Sequence, residues 1–227
     1  AGRTFAGVGR RGKNVVLRFE DDARLVVNLG MTGRLVLSDV PRAAELAHVA
    51  VRFALRDGRT LLYDDTRRFG LLQLFDAAAW STRDAELGLE PLGDAFSADA
   101  LHAMTRRTRV PIRNFLLDQY KVAGVGNIYA VEALHRAGVR PTRRARTLSR
   151  AETARIRDAL RAVLRQAIDN RGTTFSDYRD ASGEAGGFEP LLQVYGREGT
   201  PCPACGTSIK RKVLSNRSAF YCPGCQR

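Results

Sequence analysis

The chain has 227 residues, with 37 lysines and arginines against 24 aspartates and glutamates and a formal charge of +13 at neutral pH. At 44% hydrophobic residues it can bury a core, its length suits two domains with a small appendage, and no apolar run approaches the roughly 20 residues of a membrane span. A sequence pI of about 10.4 favours a polyanionic partner, and with no secretory signal a reducing cytoplasm is the expected compartment. The charge is unevenly placed. Residues 1–96 hold 14 Lys/Arg against 13 Asp/Glu, whereas residues 97–227 hold 23 against 11, so a nucleic-acid face belongs mainly to the second part.

The first 90 residues read as β structure. Val15, Val16, Leu17 and Phe19 follow Lys13, and Leu25, Val26, Val27 and Leu29 follow an acidic turn at Glu20–Asp22. Val49, Val51, Phe53 and Leu55 alternate with smaller or polar residues, and Asp57-Gly58 turns the chain back into Thr60–Tyr63 as a hairpin. Strands of this kind make a sandwich or a partly closed barrel. Two loops between them are unusual: Leu29-Gly30-Met31-Thr32-Gly33 and Asp65-Thr66-Arg67-Arg68-Phe69-Gly70. A lone Met or Phe more often packs into a core. Two such loops in a basic chain favour another use, because apolar wedges beside arginine are what proteins insert to unstack and kink DNA.

From about Ser97 the pattern turns helical. Helices are expected over Asp99–Arg107 and Pro111–Lys121, with Pro111 tolerated in a first turn. Val122 to Ala130 then leads into a helix reaching about Ala137, before Gly138. Asn127 stands where an N-cap belongs, and Gly124 and Gly126 let backbone amides approach a ligand. Free N–H groups at a helix start form a phosphate site; the plain alternative is a helix–turn–helix connection. Ser149 and Glu152 make a capping box. Ile156, Leu160, Val163, Leu164, Ala167 and Ile168 give the helix after it one apolar face, ending at Gly172. Residues 172–188, rich in Gly, Ser and Asp, are too long for an ordinary connection and read as either a disordered or a functional loop. Leu192–Arg197 follows.

The chain's four cysteines close it as Cys202-x2-Cys205 and Cys222-x2-Cys225, with sixteen residues between the pairs. Two CxxC turns bring four thiolates into a tetrahedron, and the stretch between them is long enough for a hairpin. Pro203, Gly206, Pro223 and Gly224 supply the turn chemistry. Disulfides, or four unrelated core cysteines, are the alternative reading. Four protein ligands leave a zinc ion no open position, so one structural zinc ion is expected and no catalytic metal. The hairpin carries Lys210, Arg211, Lys212 and Arg217, with Phe220 and Tyr221 before Cys222. Metal binding would order so short a ribbon and aim this basic tip at phosphate.

Together these segments resemble the bacterial formamidopyrimidine-DNA glycosylases, the MutM type within the wider endonuclease VIII-like superfamily. The resemblance runs essentially from Gly9 to the end and rests on Leu29–Gly33, Arg67-Arg68-Phe69-Gly70, Gly124–Ala130, Leu192–Arg197 and Asn216–Arg217. It implies an α+β chain: a β-sandwich over residues 1–92, incomplete at its start, a helix–two-turn–helix domain over 97–190, and a zinc finger over 192–227, with DNA in the cleft. It also implies roles. Met31, Arg67 and Phe69 would fill the gap left by an extruded base, Phe69 wedging the stack and Arg67 reading the orphaned cytosine, since the glycosidic carbon is inaccessible inside a duplex. Lys13, Asn127, Tyr195 and Arg217 would clamp phosphates, and His48 and Arg113 would add backbone contacts. Lys13 and Arg217 are also candidate proton donors in strand elimination, and residues 172–188 would close over an oxidised purine.

One departure stands out. The family attacks the sugar C1′ with the amine of an N-terminal proline followed by glutamate, the nucleophile and the general acid/base; this chain starts Ala-Gly-Arg-Thr-Phe. By comparison with the family, roughly forty residues are absent at the front, including an opening strand and helix, and fold alone does not confer activity. The 227-residue chain by itself is therefore expected to lack the chemistry, the nucleophile lying upstream. The expected function is that of a monomeric base-excision repair glycosylase and AP lyase acting on double-stranded DNA with oxidised purines or abasic sites. The alternatives are a non-catalytic lesion- or abasic-site-binding protein, an endonuclease VIII-type enzyme for oxidised pyrimidines, and a zinc-ribbon protein of transcription or translation.

Overall fold

The computed structural model describes residues 2–38, 46–173 and 186–227. The chain divides into two compact units, one of residues 1–84 with 169–189 and one of residues 85–168 with 190–227. In the first unit, strands β1 (Phe5–Arg11), β2 (Asn14–Phe19), β3 (Arg24–Asn28) and β7 (Leu71–Phe75) form an antiparallel sheet in the order β1-β2-β3-β7. Strands β4 (Arg34–Ser38), β5 (Val49–Ala54) and β6 (Thr60–Asp64) form a second, ordered β4-β6-β5. Period-two alternation explains why they pack face to face. Leu17, Leu25, Val27 and Tyr63 are buried in one cluster, with Val15, Phe19, Leu35, Val51, Phe53, Leu61 and Leu72 packed around them. This is the sandwich the sequence leads one to expect. The Asp57-Gly58 hairpin is present, closed by Leu55 N–H donating to Arg59 O at 2.9 Å with Gly58 at φ +84°.

Four elements here go beyond the sequence reading, β4 among them. Strand β1 is mostly exposed along its length, and β7 shows Leu71 and Leu74 to solvent, so neither has the half-buried alternation that betrays a strand. Helix α1 (Ala77–Glu86) buries no residue at all. Of residues 172–188, only 172, 173 and 186–188 are among the described residues; the rest of the expected lesion loop lies outside them. Its two ends meet where Gly187 N–H donates to Asn170 O at 2.8 Å and Phe188 N–H to Gly172 O at 3.0 Å.

The second unit is built on α2 (Ala98–Arg106), α3 (Ile112–Leu117), α4 (Asn127–Arg136) and α5 (Arg150–Asp169). Ser97 caps α2, its hydroxyl accepting from Ala100 N–H at 3.0 Å. Helix α3 stops at Leu117, four residues short of the expected Lys121. Asp118 leaves helical geometry and takes Lys121 as an ion pair. Gln119 then staples the turns that follow, donating to Leu117 O and Val125 O and accepting from Gly124 N–H at 2.9 Å. Gly124 sits at φ +85°, which only glycine adopts without strain. The expected N-cap is corrected: Gly126, not Asn127, is the capping residue of α4, and it brings no side-chain cap. The Asn127 amide is engaged elsewhere.

The capping box of α5 is present, Ser149 N–H donating to Glu152 Oε2 at 2.8 Å and Glu152 N–H to Ser149 Oγ at 3.2 Å. Ile156, Leu160, Val163 and Ala167 are buried as the apolar face. Ile168 is not; it is exposed at the end of a helix that finishes at Asp169 rather than Gly172. The chain closes with a hairpin of β8 (Lys210–Leu214) and β9 (Arg217–Tyr221). Its two-residue turn, Ser215-Asn216, has both residues at positive φ, the type I′ geometry that matches strand twist. The hairpin shares a core with α4, since Val131 packs with Val194, Ile209, Ala219 and Phe220. A ribbon too small to bury its own core borrows one.

Candidate nucleic-acid interface and metal centre

In the first unit, the two loops that carry Met31 and Phe69 are tied together by one carboxylate. Asp65 follows β6 directly and is fully buried. It accepts from the Thr32 hydroxyl, from Tyr63 Oη at 2.9 Å, from Gly70 N–H at 2.8 Å and from Arg67 N–H at 3.2 Å. Burial alone would raise its carboxyl, but these hydrogen bonds to the charged form outweigh it and hold the group down at about 2. Tyr63 is pushed the other way, up from its ordinary value, by burial and then by its bond to Asp65. The glycines that end the loops are required by the same hydroxyl and, at Gly33, by the Leu29 carbonyl, which a Cβ would approach to 2.3 Å. A Cβ at Gly70 would lie 1.6 Å from Tyr63 Oη, and one at Gly33 would lie 2.5 Å from it. Gly30 takes φ +64° with the Phe69–Gly70 backbone about it.

This scaffold brings Met31, Arg67 and Phe69 together at the surface. Met31 is 53% and Phe69 61% exposed. The Arg67 guanidinium carbon lies 4.7 Å from the centre of the Phe69 ring, and Arg67 Nη1 lies 3.9 Å from the Met31 sulfur. An exposed apolar pair joined by a stacked guanidinium has no role in a core; both large apolar side chains face outward. His48 is also exposed. Its backbone N–H donates to Asp64 Oδ1 at 3.0 Å and its carbonyl accepts from Asp65 N–H at 3.2 Å, so it stands beside the same loop. Lys13 is exposed in the two-residue turn between β1 and β2, after Gly12 at φ +59°.

In the second unit, Asn127, Arg113, Tyr195 and Arg217 gather where α3, α4 and the hairpin meet. Arg113 is 1% exposed, which nothing in its sequence context signals. Its Nε donates to Asn127 Oδ1 at 3.0 Å, and its Nη1 to Asn114 Oδ1 at 2.9 Å and Leu214 O at 3.0 Å; its Nη2 is buried without a partner. Burial first, and then the charge of Arg217, hold Arg113 below its ordinary value. The Asn127 amide donates to Ser218 O at 2.9 Å, and Asn114 Nδ2 donates to Ser215 Oγ. The helices thus grip both strands of the hairpin, leaving Arg217 exposed at the start of β9.

Tyr195 is placed by a residue that sequence reasoning passes over. Glu132 on α4 is fully buried and accepts three successive backbone amides: Gln193 N–H at 2.9 Å, Val194 N–H at 2.9 Å and Tyr195 N–H at 2.8 Å. The Tyr195 ring packs edge-on against Phe220, with centroids 5.1 Å apart. A single Glu on a helix looks like a solvated surface residue in sequence. Only its place among the apolar Ala130, Val131, Ala133 and Leu134, all of them buried, hints otherwise.

The cysteine sulfurs converge. All four lie within 4.8 Å of one another, with Cys205–Cys222 at 3.4 Å and Cys202–Cys225 at 3.9 Å. A zinc tetrahedron with bonds of about 2.3 Å needs sulfurs roughly 3.8 Å apart, so the donor set fits one zinc ion and no disulfide. His135 on α4 stands behind it, Nε2 at 3.5 Å from Cys202 Sγ, in the position of an outer-sphere support for a thiolate.

Three family models match. A formamidopyrimidine-DNA glycosylase N-terminal domain covers residues 1–72, the H2TH domain of the same glycosylase covers 87–179, and a zinc finger found in FPG and IleRS covers 199–227. With that zinc-finger match, the four cysteines are the ligands of one structural zinc ion. The chain is 48% identical over 231 residues to a formamidopyrimidine-DNA glycosylase of Thermomicrobium roseum, covering 96% of this chain and 80% of that one. It is similar to the crystal structure of the MutM (Fpg) protein of Thermus thermophilus, with TM-score 0.88, 42% identity, and coverage of 99% of this chain and 84% of that one. A complex between the Lactococcus lactis Fpg and DNA containing an abasic site superposes with TM-score 0.89 at 30% identity, over 100% of this chain and 83% of that one.

Proposed function

The chain belongs to the formamidopyrimidine-DNA glycosylase family, and from that premise we propose that it acts as a monomer on double-stranded DNA, excising oxidised purines such as 8-oxoguanine and formamidopyrimidines. The observation that carries this reading is the exposed cluster of Met31, Phe69 and Arg67 on a buried, hydrogen-bonded base. A base taken out of the stack leaves a gap, and something must fill it. Phe69 is the wedge, Met31 fills beside it, and Arg67, stacked on Phe69, donates to the orphaned cytosine. Lys13, His48, Arg113, Asn127, Tyr195 and Arg217 hold the phosphates. The uncapped start of α4 adds backbone N–H groups to that set.

In the proposed chemistry an amine attacks the sugar C1′, the C1′–N bond breaks with its electron pair going to the departing base, and an iminium forms. Elimination then breaks the 3′ and afterwards the 5′ C–O bond of the sugar, with Lys13 and Arg217 as candidate proton donors. The zinc ion takes no part in these steps; it holds the hairpin. Lactococcus lactis Fpg has been crystallised with oxidised-pyrimidine DNA, which favours a second reading in which this chain also accepts pyrimidine lesions. The test is borohydride trapping on an 8-oxoguanine·cytosine duplex. A covalent adduct supports the amine mechanism. No adduct, with tight binding to an abasic-site duplex, means that the clamp is present and that the attacking amine is not among these 227 residues.

A further inference from the structure

Buried carboxylates that take no part in chemistry need another reason to exist, because an ionised group out of water is costly unless its hydrogen bonds are complete. Asp65 meets that condition with donors from both sides of the exposed cluster. Thr32 belongs to the loop that carries Met31, and Arg67 and Gly70 belong to the loop that carries Phe69; Tyr63, the fourth donor, comes from the core of the sandwich. Thr32 Oγ1 also accepts from Arg67 N–H at 3.2 Å, so the two loops are joined directly as well as through the carboxylate. Arg68, between them, is held at φ +57°, a conformation that an arginine adopts only when its surroundings impose it.

We infer that Asp65 is the positioning residue of the gap-filling cluster: through Thr32, Arg67, Gly70 and Tyr63 it fixes Met31, Arg67 and Phe69 in their inserted arrangement before DNA arrives. This rests on the proposed function and adds its specificity device. The gain is preorganisation: loops already in place lose less conformational freedom on binding. Because Arg67 reads the base opposite the lesion from a fixed backbone, loosening that backbone costs discrimination more than affinity.

The test compares the wild-type protein with Asp65→Asn, which keeps one acceptor oxygen but turns an NH2 toward donors, and with Thr32→Val, which removes one donor and leaves the carboxylate. Ser149→Ala, at the capping box of α5, serves as a control for general destabilisation. Affinity is measured for duplexes with an abasic-site analogue opposite cytosine and opposite adenine. The expected result is that the cytosine preference of the wild type falls about tenfold in Asp65→Asn, the equivalent of one lost charge-assisted hydrogen bond, and by a smaller factor in Thr32→Val. Ser149→Ala should keep the full preference. In the free protein, the Gly70 and Arg67 amides of Asp65→Asn should exchange with solvent at least about tenfold faster. A wild-type preference retained in Asp65→Asn, or unaltered exchange at both amides, overturns the inference. A wild-type protein that binds abasic and intact duplexes equally overturns the proposed function instead, and the exchange result then still decides whether Asp65 holds the loops.

Discussion

Replacing Glu132 should unfasten the segment that carries Tyr195, and the structure sets the size of the effect. The carboxylate is fully buried and accepts three backbone amides at 2.8 to 2.9 Å. Hydrogen bonds to a charged acceptor contribute about 1.5–3 kcal/mol each, and a stranded buried donor costs about 1–3 kcal/mol. Three adjacent amides relax together, so the terms do not add fully, and Glu132→Ala should cost about 3–6 kcal/mol. That is a large part of a total stability of about 5–15 kcal/mol. Glu132→Gln keeps an oxygen for Val194 and Tyr195 but faces its NH2 to the Gln193 N–H, and should cost about 1–3 kcal/mol. Urea unfolding of the zinc-loaded proteins reads both values from the midpoint at constant slope. The alanine variant should also lose affinity for abasic-site DNA as Tyr195 leaves Phe220. Losses below about 1 kcal/mol in both variants, or a glutamine variant weaker than the alanine one, would refute the reasoning.

Cys222→Ser removes one of four ligands; it should release zinc and abolish DNA binding, checked by metal content and band shift, and full binding without metal would contradict the hairpin's role. Lys13→Ala and Arg217→Ala should each weaken binding and flatten the slope of log affinity against log salt by roughly one unit, as expected for one phosphate contact. Asp65, held down from its ordinary 3.8 to about 2, stabilises the fold above its unfolded value. That contribution is lost as pH falls from about 4 through 2, so acid unfolding of Asp65→Asn should show a shallower limb in this window than wild type.

Much of the fold was legible because it follows periodicity. Val15, Leu17 and Phe19, and then Leu61 and Tyr63, alternate into one core, and the Ser149–Glu152 box marks the start of α5. Paired CxxC turns announced the metal centre, and Met31 between glycines and Phe69 between Arg68 and Gly70 stood out. What escaped the sequence was three-dimensional bookkeeping of polar groups. Asn127 reads as a cap, yet its amide bridges Arg113 and Ser218. Arg113 reads only as a DNA backbone contact and Glu132 is passed over, yet both are buried, Glu132 on three distant backbone amides and Arg113 on Asn127, Asn114 and the Leu214 carbonyl. Strand β1 and helix α1 escaped for the opposite reason, burying too little to leave a pattern.

The central claim is that Met31, Arg67 and Phe69 fill the gap left by an extruded base. The most direct measurement is the affinity of this chain for a duplex carrying an abasic-site analogue opposite cytosine, set against the same duplex intact. The account predicts much tighter binding to the analogue, with the difference lost when Phe69 and Arg67 are both replaced by alanine. Equal affinity for the two duplexes, or a difference that survives that double replacement, would contradict it.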